Sequence, residues 1–158
     1  MGSYAAETTV PVERSKIEIE KTLERYHASE FAYAVKPSLA QIGFLLEGRH
    51  IRFTLPLPDK NDDKFKKTAV GRVRHARAEQ LALLDWEQAC RQRWRALALA
   101  IKAKLEAVDS GIATIEDEFL GYMVLPDGNT FSEWATPQLE KVRTNHMPKM
   151  LVAGGGRS

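Results

Sequence analysis

Cysteine is almost absent: Cys90 is the only one in 158 residues, which excludes an internal disulfide and a Cys-rich zinc site. Histidine is nearly as scarce, and His27, His50, His75 and His146 never stand at ligand spacing. No metal centre is expected. No run reaches the ~18–20 apolar residues that a spanning helix needs, and the longest candidate, 96–108, is broken by Lys102, Lys104 and Glu106. Residues 1–9 lack the basic start and apolar run of a signal peptide. Together these absences predict a protein of a reducing cytoplasm, with no membrane partner. The chain also has no Walker loop, no Gly-x-Gly-x-x-Gly, no Gly-x-Ser-x-Gly and no His-Glu-x-x-His. No catalytic constellation and no cofactor is implied, so the chain is not expected to be an enzyme.

One further absence is regional. From Leu105 to Glu140 there are eight acids and no Lys or Arg. From Lys60 to Lys104 there are twelve Lys/Arg against five Asp/Glu, a formal +7, although the whole chain carries only +2. Sorting of this kind marks a region that can meet an anionic partner.

Hydrophobic periodicity divides the chain. Residues 1–10 read as a flexible tail, 11–147 as one domain with a basic loop at about 59–78, and the Gly-rich 148–158 as a second tail. Ile19, Leu23 and Tyr26 give a helical stripe over about 12–26, with Ser15-x-x-Glu18 in the form of a capping box. The period then becomes two. Phe31, Tyr33 and Val35 alternate with alanines; Ala40, Ile42, Phe44 and Leu46 share one face, as do Ile51, Phe53, Leu55 and Leu57. Short links, Lys36-Pro37-Ser38 and Glu47-Gly48, make these a three-stranded antiparallel meander. After the loop, Leu83, Trp86, Cys90, Trp94, Leu97, Ile101, Leu105 and Val108 form a stripe on a helix over about 79–108. Ser110-Gly111 stops it, Thr114 caps a short acidic helix, and Thr130-x-x-Glu133 caps a last one carrying Phe131, Trp134 and Val142. The fold class expected is α+β: a meander packed against an N-terminal helix and a long central helix, with short C-terminal helices.

The residues that carry function on this reading are cations. Lys64, Lys66, Lys67, Arg72, Arg74 and Arg77 in and around the loop are expected to neutralise phosphates. Arg91, Arg95 and Lys102, at offsets of four and seven, extend that surface along one side of the long helix. Phe65 is expected to stack an unpaired base. Trp86, Trp94 and Cys90 fall on the apolar stripe and are assigned to the core. Asp109, Glu116, Asp117 and Glu118 suit a helix cap and first turn better than a magnesium site.

The element order, one helix, three antiparallel strands and a long helix, is similar to that of double-stranded-RNA-binding domains. Those domains lack a 20-residue basic insertion before the second helix. A meander on a long helix is also similar to the core of single-strand annealing proteins. More specifically, the chain resembles a group of small, functionally uncharacterised proteins of tailed bacteriophages and prophages. The residues concerned are Val10-Pro11-Val12-Glu13-Arg14-Ser15-Lys16, the segment from Ile51-Arg52-Phe53-Thr54 to Asp59, Arg91-Gln92-Arg93-Trp94-Arg95-Ala96-Leu97-Ala98-Leu99 and Val124-Leu125-Pro126-Asp127-Gly128. The resemblance implies a setting, the cytoplasm of an infected host cell, and transfers no residue roles. The expected function is non-catalytic, sequence-tolerant binding of nucleic acid, specifically single-stranded DNA, in phage DNA metabolism. The alternative is an inhibitor that docks on a host protein complex such as an antiviral defence system. A homodimer through the long helix is the expected assembly, because its stripe offers more apolar surface than the other elements can cover.

Overall fold

The computed structural model describes residues 2–66 and 77–145, and side chains within 12–65 and 79–143. Its architecture is α+β. Helix α1 (Gly2–Arg25) leads into strands β1 (Ser29–Lys36), β2 (Leu39–Leu46) and β3 (Arg49–Pro56). A single turn of helix, α2 (Asp63–Lys66), precedes the long α3 (Arg77–Asp109). Helix α4 (Ile115–Phe119), a 3₁₀ turn (Leu120–Tyr122) and α5 (Phe131–Asn145) complete the chain. Loop residues 67–76 lie outside the described residues.

The sheet is an antiparallel meander in the order β1-β2-β3. Tyr33 stands opposite Ile42, and Ile42 opposite Phe53. Period-two burial follows the sequence: Ala40, Ile42, Phe44, Leu46, Ile51, Phe53 and Leu55 are buried on one face. The two-residue link Glu47-Gly48 has positive φ at both positions, 46° and 78°, the backbone form that matches strand twist in tight hairpins.

Both long helices lie on that buried face. The connections α1–β1, β1–β2, β2–β3 and β3–α3 reverse the chain an even number of times, so α1 and α3 run side by side in the same direction. Lys16 of α1 sits against Trp94 of α3, its Nζ 5.5 Å from the ring centroid, and both helices end at one recess lined by Arg25, His27, Leu105 and Asp109. The Lys16 ammonium also stands 5.6 Å from the Tyr33 ring and 3.1 Å from Glu13. This half-buried cation pins α1 to both β1 and α3. At the end of α1, Ala28 N–H donates to Leu23 O and His27 N–H to Glu24 O, with His27 at φ 64°. That is a Schellman stop with a histidine in the usual glycine position.

From the α3 stripe, Trp94, Leu97, Ile101 and Leu105 join Ile19, Leu23 and the sheet residues in one core, and Cys90 is buried as well. The sheet and α1 cover this part of the stripe, whereas Leu83, Trp86 and Val108 are half-buried and, on the flank, Ala96, Ala100 and Ala103 are exposed. At the β3 edge, Met123 bridges Ile51 and Val124 bridges Thr130, so a short hairpin extends the sheet before α5. A Cβ at Gly121 in the 3₁₀ turn would meet the Ser132 Oγ, so a larger residue there requires that side chain to rotate away.

Two local expectations change. Helix α1 begins at Gly2 rather than near residue 12, so Ser15 lies in its interior, buried, and caps nothing. The connection after β3 contains α2, and Phe65 on it is 5% exposed beside α3. A ring buried there has no face to offer a base. Trp134, Leu139 and Val142 leave α5 an exposed apolar side.

Candidate nucleic-acid interface

On the solvent side of the two parallel helices lies a groove of about 830 Å³. Its floor is built from small residues, Ser15 of α1 and Ala98 of α3, both buried. Five cations line it: Arg14 and Lys21 from α1, and Arg91, Arg95 and Lys102 from α3. The only carboxylate in the lining is Glu18. Gln88, Gln92 and Thr22 add hydrogen-bonding groups, and Leu99, 60% exposed, adds an apolar one.

Among the described residues none of the five cations forms an ion pair. Arg91 donates to the neutral Gln88 side chain. Like charges gathered on two facing walls, with one acid between them, leave a positive field that an anion would relieve.

The helical repeat explains the walls. Arg14 and Lys21 are seven residues apart, as are Arg95 and Lys102, and seven residues return to the same helix face. Along α3 the cations span eleven residues from Arg91 to Lys102, ~16 Å at 1.5 Å per residue. Helices in contact have axes ~8–10 Å apart, so the two rows of cations stand close together along one groove.

The acidic quarter of the chain behaves differently. Arg49 pairs with Glu116, Arg52 lies 3.4 Å from Glu133, and Lys104 lies 3.3 Å from Glu118. The Glu116 carboxyl is held below its ordinary range first by its own backbone N–H and then by Arg49. Asp117 is held low by the Thr114 backbone N–H and then by the Thr114 hydroxyl, in a reciprocal capping box. These acids stabilise local structure. Among the described residues no group of three or more His, Cys, Asp or Glu converges as a metal site. Burial pushes the Cys90 thiol up, helped by Glu87, as befits a core residue.

Of the cations singled out from sequence, Arg91, Arg95 and Lys102 share this groove. Lys64 is exposed on α2, its Nζ 4.9 Å from the Phe65 ring, and is not part of the groove lining. Lys67, Arg72 and Arg74 lie outside the described residues, as do the side chains of Lys66 and Arg77. Arg14 and Lys21 were missed. Their seven-residue offset on the outer face of α1 was legible, but only the parallel packing of α1 on α3 turns that face into a groove wall.

No protein-family model, no curated protein and no solved structure matches this chain. No helix among the described residues is long and apolar enough to cross a membrane.

Proposed function

We propose that this chain is a non-catalytic nucleic-acid-binding protein that holds single-stranded DNA in the groove between α1 and α3, in the setting of phage DNA metabolism inside the host cytoplasm. The observation that carries this reading is the set of five unpaired cations around a groove with one carboxylate. Arg and Lys that neutralise phosphates supply sequence-independent affinity. The closeness of the two rows favours one strand over two, and Leu99 gives an unstacked base an apolar contact. The basic segment from Lys60 to Arg77 adds further cations in sequence.

The test is binding of labelled single-stranded and duplex DNA at low salt, with wild type and Arg14→Ala/Lys21→Ala. The single strand should bind more tightly than the duplex, and the α1 variant should lose affinity for it while keeping its fold.

A second reading, an inhibitor of a host protein complex, has one observation in its favour. Helix α5 exposes Trp134, Leu139 and Val142 at 51%, 60% and 45%, a side suited to protein contact. Absence of DNA binding by the wild type at low salt would end the first reading and leave this one.

A further inference from the structure

Helix α3 carries a second stripe, on the side turned away from the core. Leu81, Asp85, Gln88, Gln92, Arg95 and Leu99 alternate in steps of four and three, and at 3.6 residues per turn all six fall within about 40° of one line along the helix. All six are exposed, with Leu81 at 55% and Leu99 at 60%. Trp94, Leu97 and Ile101 are buried on the opposite side. Steps of four and three are those of the seam between two coiled helices. Ala89, Ala96 and Ala103, each seven residues from the next, run along one flank of it, and their small side chains let a second helix come close. Leu84, 54% exposed, stands beside Leu81 at one end. The whole seam lies within the uninterrupted helix Arg77–Asp109, so one register holds along it.

We propose that this seam joins α3 to α3 of a second copy, antiparallel about a two-fold axis level with Cys90. Read against its reverse, the seam complements itself. Leu81 meets Leu99, Asp85 meets Arg95 and Gln88 meets Gln92, each pair occurring twice, as an isologous interface requires. The charges select the direction. A parallel pairing would set Asp85 against Asp85 and Arg95 against Arg95, whereas the antiparallel one gives each Asp85 an Arg95. Arg95 has no ionic partner among the described residues, and the second copy supplies one. The pairing also covers Leu81 and Leu99.

Gln88, Gln92, Arg95 and Leu99 line the groove between α1 and α3 as well. The second copy therefore lies over the α3 wall, and the dimer is the closed form of the groove. This closure rests on the single-strand reading; the dimer itself does not. Below the concentration range of the dimer a strand meets an open groove, and above it the second copy must leave first.

The experiment is light scattering over a micromolar dilution series on wild type, Asp85→Arg, Arg95→Asp and the exchanged double variant Asp85→Arg/Arg95→Asp. Wild type should show about twice the 17.8 kDa chain mass. Each single variant sets like charges against each other twice, so its dimer should dissociate about tenfold or more readily. The double variant restores both opposite-charge contacts, and the double mass should return. Circular dichroism shows that each exposed-site variant is folded. A wild-type mass of one chain across the dilution series overturns the proposal. So does a dimer indifferent to both single substitutions, which points to another surface such as α5, or a double variant that stays monomeric. An excess of a short single-stranded oligonucleotide should then replace the wild-type dimer by complexes of one chain each. A strand bound to the intact dimer overturns the closure and leaves the dimer standing, whereas a strand that never binds, even to dilute protein, overturns the reading on which the closure rests.

Discussion

Removing Arg95 and Lys102 together tests the groove quantitatively. Both are exposed on the α3 wall, seven residues apart, and neither is in an ion pair among the described residues. Substitution by Ala should therefore change stability by no more than about 0.5 kcal/mol. On a single strand each neutralised phosphate contributes ~0.7 to the slope of log affinity against log salt, so the five groove cations contribute ~3.5. Between ~50 and ~200 mM salt that slope weakens binding ~100-fold; the three cations left in Arg95→Ala/Lys102→Ala give a slope of ~2.1 and a loss of only ~20-fold. Cations of the 60–77 segment add the same amount to both proteins. The difference in slope, ~1.4, is thus a property of the groove alone. Fluorescence anisotropy with a labelled oligonucleotide over a salt series measures it. A folded variant whose slope equals that of wild type refutes the argument, because phosphates then never reach the α3 wall.

Two further outcomes follow from the packing and the acidic turn. Trp94 is 1% exposed and contacts Tyr33 at 6.4 Å between centroids, so Trp94→Ala should cost ~3–5 kcal/mol in urea unfolding; a loss below ~1 kcal/mol would place the ring outside the core. Asp117 has its carboxyl pKa lowered in the fold by Thr114, so its contribution is present above the ordinary carboxylate range and is lost as pH falls through the depressed value. Helix α4 should loosen only in that acid range, as read from amide exchange at residues 114–118, and Asp117→Asn should weaken it at neutral pH.

What the sequence made legible was periodicity. Alternation along Ile42, Phe44, Ile51 and Phe53 set the buried sheet face, and the stripe through Trp94, Ile101 and Leu105 set the buried side of α3. Thr114 and Thr130 cap as their neighbours suggest, each reciprocated by an acid three residues on. Ser15-x-x-Glu18 has the same form and fails, because a capping motif matters only where the helix ends and α1 continues upstream. Phe65 misled for a related reason: an aromatic among lysines looks like a stacking platform until α2 turns it onto α3. Half the groove was illegible because it belongs to neither helix alone. Arg14 and Lys21 look like ordinary wet-face residues until three strands bring α1 beside α3.

The charge sorting has a similar resolution. On paper the chain has a +7 stretch and a −8 stretch, two opposed poles. In three dimensions three of the eight acids in the negative one are answered from elsewhere: Arg49 and Arg52 on β3 and Lys104 on α3 reach Glu116, Glu133 and Glu118. The groove cations receive no such answer. Lys102 and Lys104 show why. They are two residues apart on one helix, and at 3.6 residues per turn they point ~200° away from each other. Lys104 turns to α4, where it meets the Glu118 carboxylate and backbone carbonyl. Lys102 turns into the groove beside Leu99 and Arg95. Helix geometry thus sends one lysine to hold the fold and leaves the other in the groove. This is how a chain of net charge +2 comes to present a one-sided positive surface.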